Sequence, residues 1–231
     1  MEILGIIPAR SGSKGVKNKN ITIINNKHLI DYTIDRAKQS KYLTDVVAST
    51  DSNLYSKLFK NKKIWVPKLR PKKLSTAKSN IIDALIYTTK ICENLKKKKY
   101  NYVVLLQPTS PLRRKNEIDH CLKKIISSKF DSLISLSEMI ISHPVKLKKI
   151  VKNMVKPYIK NSKENPPRQI LEKLYMPSGN IYIVKRDQLI KNKTLIGKNQ
   201  TYHIIKKDHY LNIDSLTDIL ISRIKLKKYF K

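Results

Sequence analysis

The amino-terminal stretch of residues 3–20 constrains the fold most, because an apolar run passes directly into a polar loop. Residues 3–7 are apolar, which indicates a buried strand, and Pro8 ends the run. The loop of residues 8–20 then contains two glycines, two serines and four cations without a core pattern. Glycine lets the backbone approach a ligand closely, so N–H, hydroxyl and cationic groups can face one anion. A strand followed by this loop predicts phosphate binding.

Two common phosphate motifs are absent from this loop. The P-loop needs G-x-x-x-x-G-K-[ST], and here Gly15 is followed by Val16. The dinucleotide pattern G-x-G-x-x-G is missing as well. Charged loops are commonly just solvated. Composition therefore leaves a phosphate-binding loop and a solvated loop both open.

Length and composition exclude several classes of protein. A chain of 231 residues with an apolar fraction of 40% suits one large domain or two small ones with a real core. No run of about 18 apolar residues is present, so we expect no transmembrane helix and no membrane partner. The short first run lacks a preceding basic region, so we expect no signal peptide. Cys92 and Cys121 are too few for a disulfide framework or a metal cluster, and Cys121 fits packing. These features predict a cytoplasmic protein.

The formal net charge of +32 would by itself suggest a nucleic-acid partner. The lysines, however, are spread through every segment alongside abundant Ile, Asn and Tyr, which indicates a bias of the whole sequence. No zinc-finger, helix-turn-helix or RNP pattern accompanies the charge. We therefore expect no specific nucleic-acid partner, and a basic nucleic-acid-binding protein remains the distant alternative.

Apolar segments of helical and strand spacing alternate along the chain, which is typical of an α/β fold. Helical spacing occurs in residues 29–37, 53–59, 81–91 and 118–126, and in a carboxy-terminal helix with Leu216, Ile219, Leu220 and Ile224 on its expected buried face. Strand-like runs occupy residues 46–48, 64–66, 102–106, 132–136 and 175–184. The polar residues 49–52 are either a helix N-cap or a ligand-facing turn, and we favour the cap.

Residues 138–174 break the alternation. They contain His143-Pro144 and the pair Pro166-Pro167, and their core pattern is sparse. An insertion of this length inside a compact domain is usually functional or an interface.

Five motifs follow one another between Ile6 and Asp218. They are PARSGSKG with KNKN (8–20), RPxxLS (70–75), QPTSPLR (107–113), PPRQxLxxxY with YMPSGNIYIV (166–184) and NID (212–214). In this order they resemble the acylneuraminate cytidylyltransferases, the family that makes CMP-sialic acids and includes legionaminic and pseudaminic acid cytidylyltransferases. The resemblance implies a single domain over residues 1–231. Its expected fold is α/β, with a Rossmann-like, mostly parallel sheet flanked by helices, of the nucleotide-diphospho-sugar transferase type.

The resemblance also assigns residues to CTP. In the family, the first loop wraps the triphosphate and the RPxxLS loop contacts the cytidine. The nucleotide-binding residues implied here are Ala9, Arg10, Ser11, Ser13, Lys14, Lys19, Asn20, Arg70 and Ser75. Charge on the RPxxLS loop alone would equally fit a solvated surface loop.

A second set of residues is implied for the sugar. It comprises Gln107, Thr109, Ser110, Lys146, Arg168, Tyr175 and Ser178. In the family, the insertion 138–174 is an arm that reaches the partner subunit of a homodimer and contributes sugar-binding groups there. Arginine suits a bidentate carboxylate contact, whereas Lys146 could equally be a solvated lysine. Family members usually show Asn-Gly-Ala where this chain has Ser178, Gly179 and Asn180.

The last motif bears on Mg²⁺. The family pattern is often D-I-D, two carboxylates that hold magnesium, and here Asn212 stands in the first place and Asp214 in the second. An amide oxygen is a poorer magnesium ligand than a carboxylate. Asp214 could instead cap the helix that follows, and Asp218 fits a first-turn helix carboxylate.

The resemblance implies transfer of CMP from CTP to the anomeric hydroxyl of a nine-carbon sialic-acid-type sugar, with release of pyrophosphate. Arg10, Lys14 and Asp214 would carry the catalysis, because the reaction needs positioning and charge neutralisation more than covalent chemistry. Activation of an eight-carbon 2-keto sugar acid is the near alternative.

Overall fold

We describe the fold from a computed structural model, which covers residues 1–12, 15–139, 143–160 and 166–229. Its strands are β1 (Ile3–Pro8), β2 (Ile23–Ile24), β3 (Lys27–His28), β4 (Asp45–Ser49), β5 (Tyr102–Leu105), β6 (Ser132–Glu138), β7 (Lys148–Val151), β8 (Met154–Pro157), β9 (Tyr175–Lys185) and β10 (Gln200–Ile204). Its α-helices are α1 (Leu29–Lys38), α2 (Asn53–Asn61), α3 (Ile81–Lys96), α4 (Glu117–Ile126), α5 (Arg186–Asn192) and α6 (Leu216–Tyr229). Among these residues, no helix is both long and apolar enough to cross a membrane.

The central sheet has the strand order β10-β6-β9-β5-β1-β4. Its neighbouring strands are parallel except that β9 runs antiparallel to both β5 and β6. The strands β4 and β5 lie on opposite sides of β1, so the chain leaves β1 in one direction and returns on the other side. Such a switch point opens a crevice at the carboxyl end of the strands. The mostly parallel α/β sheet predicted from the sequence is confirmed.

The sheet is covered on both faces, which explains the continuous apolar runs of its central strands. Alternate residues of β1 enter two different clusters, since side chains alternate across a strand. Ile3 and Ile7 pack with residues of α1, α2 and α4, whereas Leu4 and Ile6 pack with residues of α3 and α5. Cys121 is fully buried in the first cluster, as its predicted packing role requires.

The predicted elements agree closely with the structure apart from two places. Residues 64–66 form no full strand, because only Trp65 bridges Val47 and Pro67 follows directly. The predicted buried face of the last helix is wrong for three of its four residues. Of the four, only Ile219 is buried, while Leu216, Leu220 and Ile224 are exposed.

The helix α6 has apolar residues on two opposite sides, which is why the sequence pattern was ambiguous. The side with Ile219, Ser222 and Leu226 packs against the core. Its neighbours there are Val16, Ile24, Leu29, Tyr32, Leu112, Leu211 and Ile213. Ser222 is fully buried, and its small side chain donates to the Ile219 carbonyl at 2.6 Å. The buried side therefore includes a small polar residue, where the sequence pattern favours an apolar one.

The insertion contains an exposed hairpin formed by the antiparallel strands β7 and β8. Every residue of both strands is exposed. Large apolar side chains are among them: Ile150 is 78% exposed and Val155 is 70% exposed. The hairpin thus contributes nothing to the core of this chain.

Candidate functional site

A cavity of about 510 Å³ lies beside the carboxyl end of β1, where the sheet topology opens its crevice. It is lined by Pro8, Arg10, Gly15, Lys19, Asn20, Arg70, Ile81, Gln107, Pro108, Thr109, Asn212 and Asp214. Residues far apart in the chain thus meet at one place, and most of them belong to the sequence motifs. The side of the cavity formed by the first loop is cationic, and Asp214 is the one carboxylate among the described lining residues.

The first loop is held in place at both of its described ends. The Ala9 N–H donates to the Ser49 carbonyl at 2.9 Å, which continues the pairing of β1 with β4 beyond the strand. The Asn20 amide donates to the Arg10 carbonyl at 3.2 Å, and the Arg10 guanidinium donates to the Thr76 carbonyl. The loop therefore curls back on itself and faces the cavity. The predicted phosphate ligands Ser13 and Lys14 lie outside the described residues.

The amino-terminal loop touches the carboxy-terminal motif directly. A Cβ atom at Gly15 would lie 2.3 Å from the Asp214 carbonyl oxygen, so only glycine fits there. The Lys19 ammonium lies 2.8 Å from the Ile213 carbonyl and 2.9 Å from the Asp214 carboxylate. The Lys19 side chain is largely buried, whereas the Asp214 side chain is 67% exposed. Lys19 thus anchors one oxygen of a carboxylate whose side chain stays exposed at the cavity.

Arg70 reaches the cavity from a buried position. Its Nε donates to the Ser75 hydroxyl at 3.0 Å, so Ser75 orients the guanidinium from behind. Its Nη2 is buried and has no hydrogen-bond partner within the part of the chain that the structure describes. Burial lowers the pKa of Arg70, and the nearby Asp51 opposes that effect. A buried donor without a partner is costly, which makes this nitrogen a candidate ligand contact.

The QPTSPLR turn supplies a further part of the cavity lining. Gln107 and Thr109, the residues assigned to the sugar by the family resemblance, both line the cavity. Gly179 has a φ of 74°, and a Cβ atom there would lie 2.7 Å from the Gln107 Oε1 atom. Glycine is therefore required for β9 to approach this turn.

The serines of the predicted sugar site are used within the protein. The Ser110 hydroxyl donates to the Ser178 carbonyl at 3.3 Å. The buried Ser178 hydroxyl donates to the Ser135 hydroxyl at 2.7 Å, which ties β9 to β6. These contacts place both serines in the support of the site.

The remaining predicted sugar ligands lie in or next to the insertion. Lys146 is half-buried in a short helical turn of residues 144–146, and Tyr175 begins β9. Among the described residues that line the cavity, neither Lys146 nor Tyr175 is found. Arg168 lies in a helical turn, but its side chain falls outside the described parts of the chain.

A buried polar network that the sequence did not predict supports the turn that carries Gln107. Arg113 is fully buried and donates to the carbonyls of Asn180 and Gln107 and to the Thr33 hydroxyl. Burial lowers the pKa of Arg113 to about 10. The Asn180 amide in turn donates to the Glu117 carboxylate at 3.1 Å. Two sequence features could have indicated this network. One is the arginine that ends QPTSPLR, and the other is the asparagine after Gly179, where family members usually have alanine.

The pKa of Glu117 reflects this network. Burial alone would raise it, but hydrogen bonds from His203 and from the backbone and side chain of Arg114 lower it to about 2. Glu117 therefore stays ionised and holds the side-chain amide of Asn180. The backbone carbonyl of Asn180 accepts the hydrogen bonds from Arg113. The network supports the backbone of the turn that bears Gln107.

The donor atoms of the last motif fit a magnesium ion. The Asn212 amide nitrogen donates to the Asp214 carboxylate, and the Asn212 Oδ1 atom is buried without a partner in the described ranges. The Ser215 hydroxyl accepts the Asp218 N–H at 3.2 Å and so caps α6, while Asp218 accepts the backbone N–H groups of Asp214 and Ser215 at 2.9 and 2.7 Å. Asp214 is thereby free from the capping role. Mg²⁺ is bound in proteins by one or two carboxylates with substrate phosphates and waters, and these oxygens meet that need.

No larger metal cluster competes with this place. Among the described residues, no group of three or more His, Cys, Asp or Glu side chains could hold a metal ion. Cys92 and Cys121 are free and buried, and burial raises the pKa of each thiol to about 12. Neither thiol is therefore a reactive nucleophile.

Solved structures support the fold. A CMP:2-keto-3-deoxy-manno-octonic acid synthetase complexed with CTP superposes with a TM-score of 0.73, covering 99% of both chains at 16% identity.

Sequence relatives lie closer. The chain is 33% identical over 205 residues to the CMP-N,N'-diacetyllegionaminic acid synthase of Legionella pneumophila, which covers 86% of this chain and 84% of the relative. It is 30% identical over 222 residues to the N-acylneuraminate cytidylyltransferase of Streptococcus agalactiae, which covers 95% of this chain and 52% of the relative. The chain thus spans about half the length of that relative.

The family model described as "Cytidylyltransferase" matches residues 4–229, which is almost the whole chain. This match includes the first loop, the QPTSPLR turn and the Asn212–Asp214 motif that meet in the cavity. The chain therefore belongs to the cytidylyltransferase family.

Proposed function

We propose that this protein transfers CMP from CTP to the anomeric hydroxyl of a nine-carbon sialic-acid-type sugar and releases pyrophosphate. One observation carries the proposal: the first loop, Arg70, the Gln107 turn and Asp214 converge on one cavity. Cationic and N–H groups on one side suit a triphosphate, and the wall of Gln107 and Thr109 suits the hydroxyl groups of a sugar.

The reaction sets the physical demand on the site. The anomeric hydroxyl gives its proton to water as its oxygen forms a bond to the α-phosphorus, the bond from that phosphorus to the bridging oxygen breaks, and pyrophosphate leaves. Negative charge builds on the leaving group and on the equatorial oxygens, so prearranged cations lower the barrier. Arg10 and Lys19 are the described cations of the first loop that line the cavity, and Lys14 would join them.

Asp214 and Asn212 would hold Mg²⁺ against the phosphates. When bound, the ion neutralises phosphate charge and orients the triphosphate. Lys19 contributes from the protein side, because its ammonium fixes one oxygen of the Asp214 carboxylate at 2.9 Å. The carboxylate therefore keeps its orientation before any ligand enters.

Arg70 and Ser75 would bind the cytidine end of CTP. The unpartnered Nη2 of Arg70 supplies the donor, and Ser75 fixes the plane of the guanidinium at 3.0 Å. A group positioned in this way loses little entropy on binding.

The sugar would lie against Gln107 and Thr109, with Lys146 and Arg168 supplied by a second subunit. The exposed apolar hairpin β7–β8 supports this arrangement, because a large apolar surface on a monomer commonly marks an interface. The relative from Legionella is named for a nine-carbon legionaminic acid, which favours this sugar class over eight-carbon acids. We extend the proposal to a cytoplasmic homodimer.

The test is pyrophosphate release from CTP with a panel of N-acetylneuraminic, N,N'-diacetyllegionaminic, pseudaminic and 3-deoxy-manno-octonic acids. We expect release with at least one nine-carbon acid, together with the matching CMP-sugar by mass spectrometry. The Arg10→Ala variant should lose roughly 10²- to 10³-fold in kcat, as removal of one charge-stabilising donor does elsewhere. The variant Asp187→Ala, on the exposed first turn of α5, is the matched control. Release with the eight-carbon acid alone, or with no acid, would reject the proposal.

A further inference from the structure

The turn between β4 and α2 holds the first loop through a carboxylate. The Ser11 backbone N–H donates to the Asp51 Oδ1 atom at 2.9 Å. The Ser11 hydroxyl donates to the Asp51 Oδ2 atom at 2.9 Å. Both carboxylate oxygens thus grip one residue of the loop, and a two-point contact fixes orientation as well as distance.

The same turn also holds the loop that carries Arg70. The Thr50 carbonyl accepts the Arg70 N–H at 2.7 Å, and the Ser49 carbonyl accepts the Ala9 N–H at 2.9 Å. Three successive residues, 49–51, therefore connect two loops that lie 60 residues apart in the chain and face one cavity. Ser52 separately caps α2 by accepting the Tyr55 N–H at 3.3 Å, which anchors the turn on a helix.

Charge gives Asp51 a second effect. Arg10 and Arg70 both line the cavity, and they repel one another. Asp51 attracts Arg70 and so offsets that repulsion while no anionic ligand is present. Its carboxylate is already occupied by the two Ser11 donors, which suits a supporting role behind the loop.

We propose that Asp51 is a positioning residue that prearranges the first loop and Arg70 together for the nucleotide. The inference rests on the proposed use of CTP, because the nucleotide is the ligand that would span both loops. Loss of Asp51 should let the first loop sample other conformations, and nucleotide binding would then have to order it. None of the hydrogen bonds given above for residues 49–51 reaches Gln107, on the sugar side of the cavity.

The experiment compares Asp51→Ala and Asp51→Asn with the control Asp187→Ala. We expect Asp51→Ala to raise KM for CTP about tenfold or more, with KM for the sugar within twofold of the parent. Asp51→Asn keeps an oxygen for the Ser11 N–H and should recover a large part of the loss. A folded Asp51→Ala protein with parental KM for CTP would overturn the proposal, and so would equal increases in both KM values.

Hydrogen exchange separates this inference from the proposed function. The Ser11 amide should exchange at least tenfold faster in Asp51→Ala than in the parent and in Asp187→Ala, whether or not CTP is the substrate. If the parent protein does not use CTP but the Ser11 amide exchanges faster in Asp51→Ala, the proposed function is wrong. The role of Asp51 in positioning the first loop is then still supported. If Asp51→Ala does not fold, Ser11→Ala removes one of the two bonds and should give a smaller KM increase for CTP. A Ser11→Ala protein with parental KM for CTP and parental exchange of the residue 11 amide would overturn the proposal.

Discussion

Gly179 shows how one residue lets β9 approach the turn that carries Gln107. Its φ of 74° and its closeness to Gln107 and Ser110 leave no room for a side chain. We expect Gly179→Ala to lower the free energy of unfolding by roughly 1–2 kcal/mol, because alanine resists a positive φ. It should also raise KM for the sugar more than KM for CTP, since Gln107 must move.

Urea unfolding and the two KM values measure both effects. For the unfolding measurement alone, the control is Gly12→Ala, because a Cβ atom there meets nothing within 4 Å, and its unfolding midpoint should not fall. Equal stability of the two variants would contradict the packing account of Gly179.

Glu117 predicts an acid sensitivity. Its folded pKa of about 2 lies below the ordinary value of 4.5 for a glutamate, so its ionised form stabilises the fold at neutral pH. That contribution, roughly 3 kcal/mol as an upper estimate, is present above pH 4.5 and is lost as pH falls toward 2. Glu117→Gln should therefore be less stable at pH 7 and show a flatter decline between pH 4.5 and 2.

Unfolding midpoints in urea over this pH range test the assignment. Asp83→Ala serves as the control, because Asp83 is an exposed carboxylate in the first turn of α3. Parallel pH curves for Glu117→Gln and the parent protein would contradict the role of Glu117.

The sequence motifs found the residues that line the cavity better than those that support it. Arg10, Lys19, Arg70 and Gln107 were all assigned from motifs and all line it. A supporting residue such as Asp51 touches only other parts of the protein, and its partner is 40 positions away. Nothing in local spacing predicts that pairing, so only the fold reveals it.

Elements were predictable where one periodicity dominated. The runs in β1 and β5 are apolar at every position because helices cover both faces of the sheet. The direction of β9 was not predictable, since alternation of side chains is the same in parallel and antiparallel strands. The buried side of α6 was mispredicted because both of its sides carry aliphatic residues.

The two sides of α6 give a matched pair of substitutions. Leu226 is 1% exposed, so Leu226→Ala should lower the free energy of unfolding by about 2–5 kcal/mol. Ile224 is 76% exposed, and Ile224→Ala should change it by at most about 0.5 kcal/mol. Urea unfolding of the two variants decides which side is buried. Equal losses, or the reverse order, would contradict the structure.

At the scale of the whole molecule, the hairpin β7–β8 predicts association. It exposes Ile150 and Val155 without covering any core of this chain. We expect the protein to be a dimer by light scattering at micromolar concentration. The double variant Ile150→Asp and Val155→Asp should be a folded monomer, because buried unpaired carboxylates oppose an apolar interface.

The exposed side of α6 provides the control for this test. The double variant Leu220→Asp and Ile224→Asp places the same two charges on other exposed aliphatic positions and should leave the dimer intact. A monomeric parent protein, or a dimer unaffected by the hairpin changes, would contradict an interface at the hairpin. Sugar turnover that falls with dimer dissociation would further support Lys146 and Arg168 acting in a partner's site.

The proposed function requires a nucleoside triphosphate to bind between the first loop, Arg70 and Asp214. A crystal structure of the protein soaked with CTP tests this requirement. We expect phosphates against Arg10 and the loop of residues 8–20, and cytosine within hydrogen-bond distance of the Arg70 guanidinium. CTP bound away from this cavity, or reversed so that its base contacts Arg10, would contradict it.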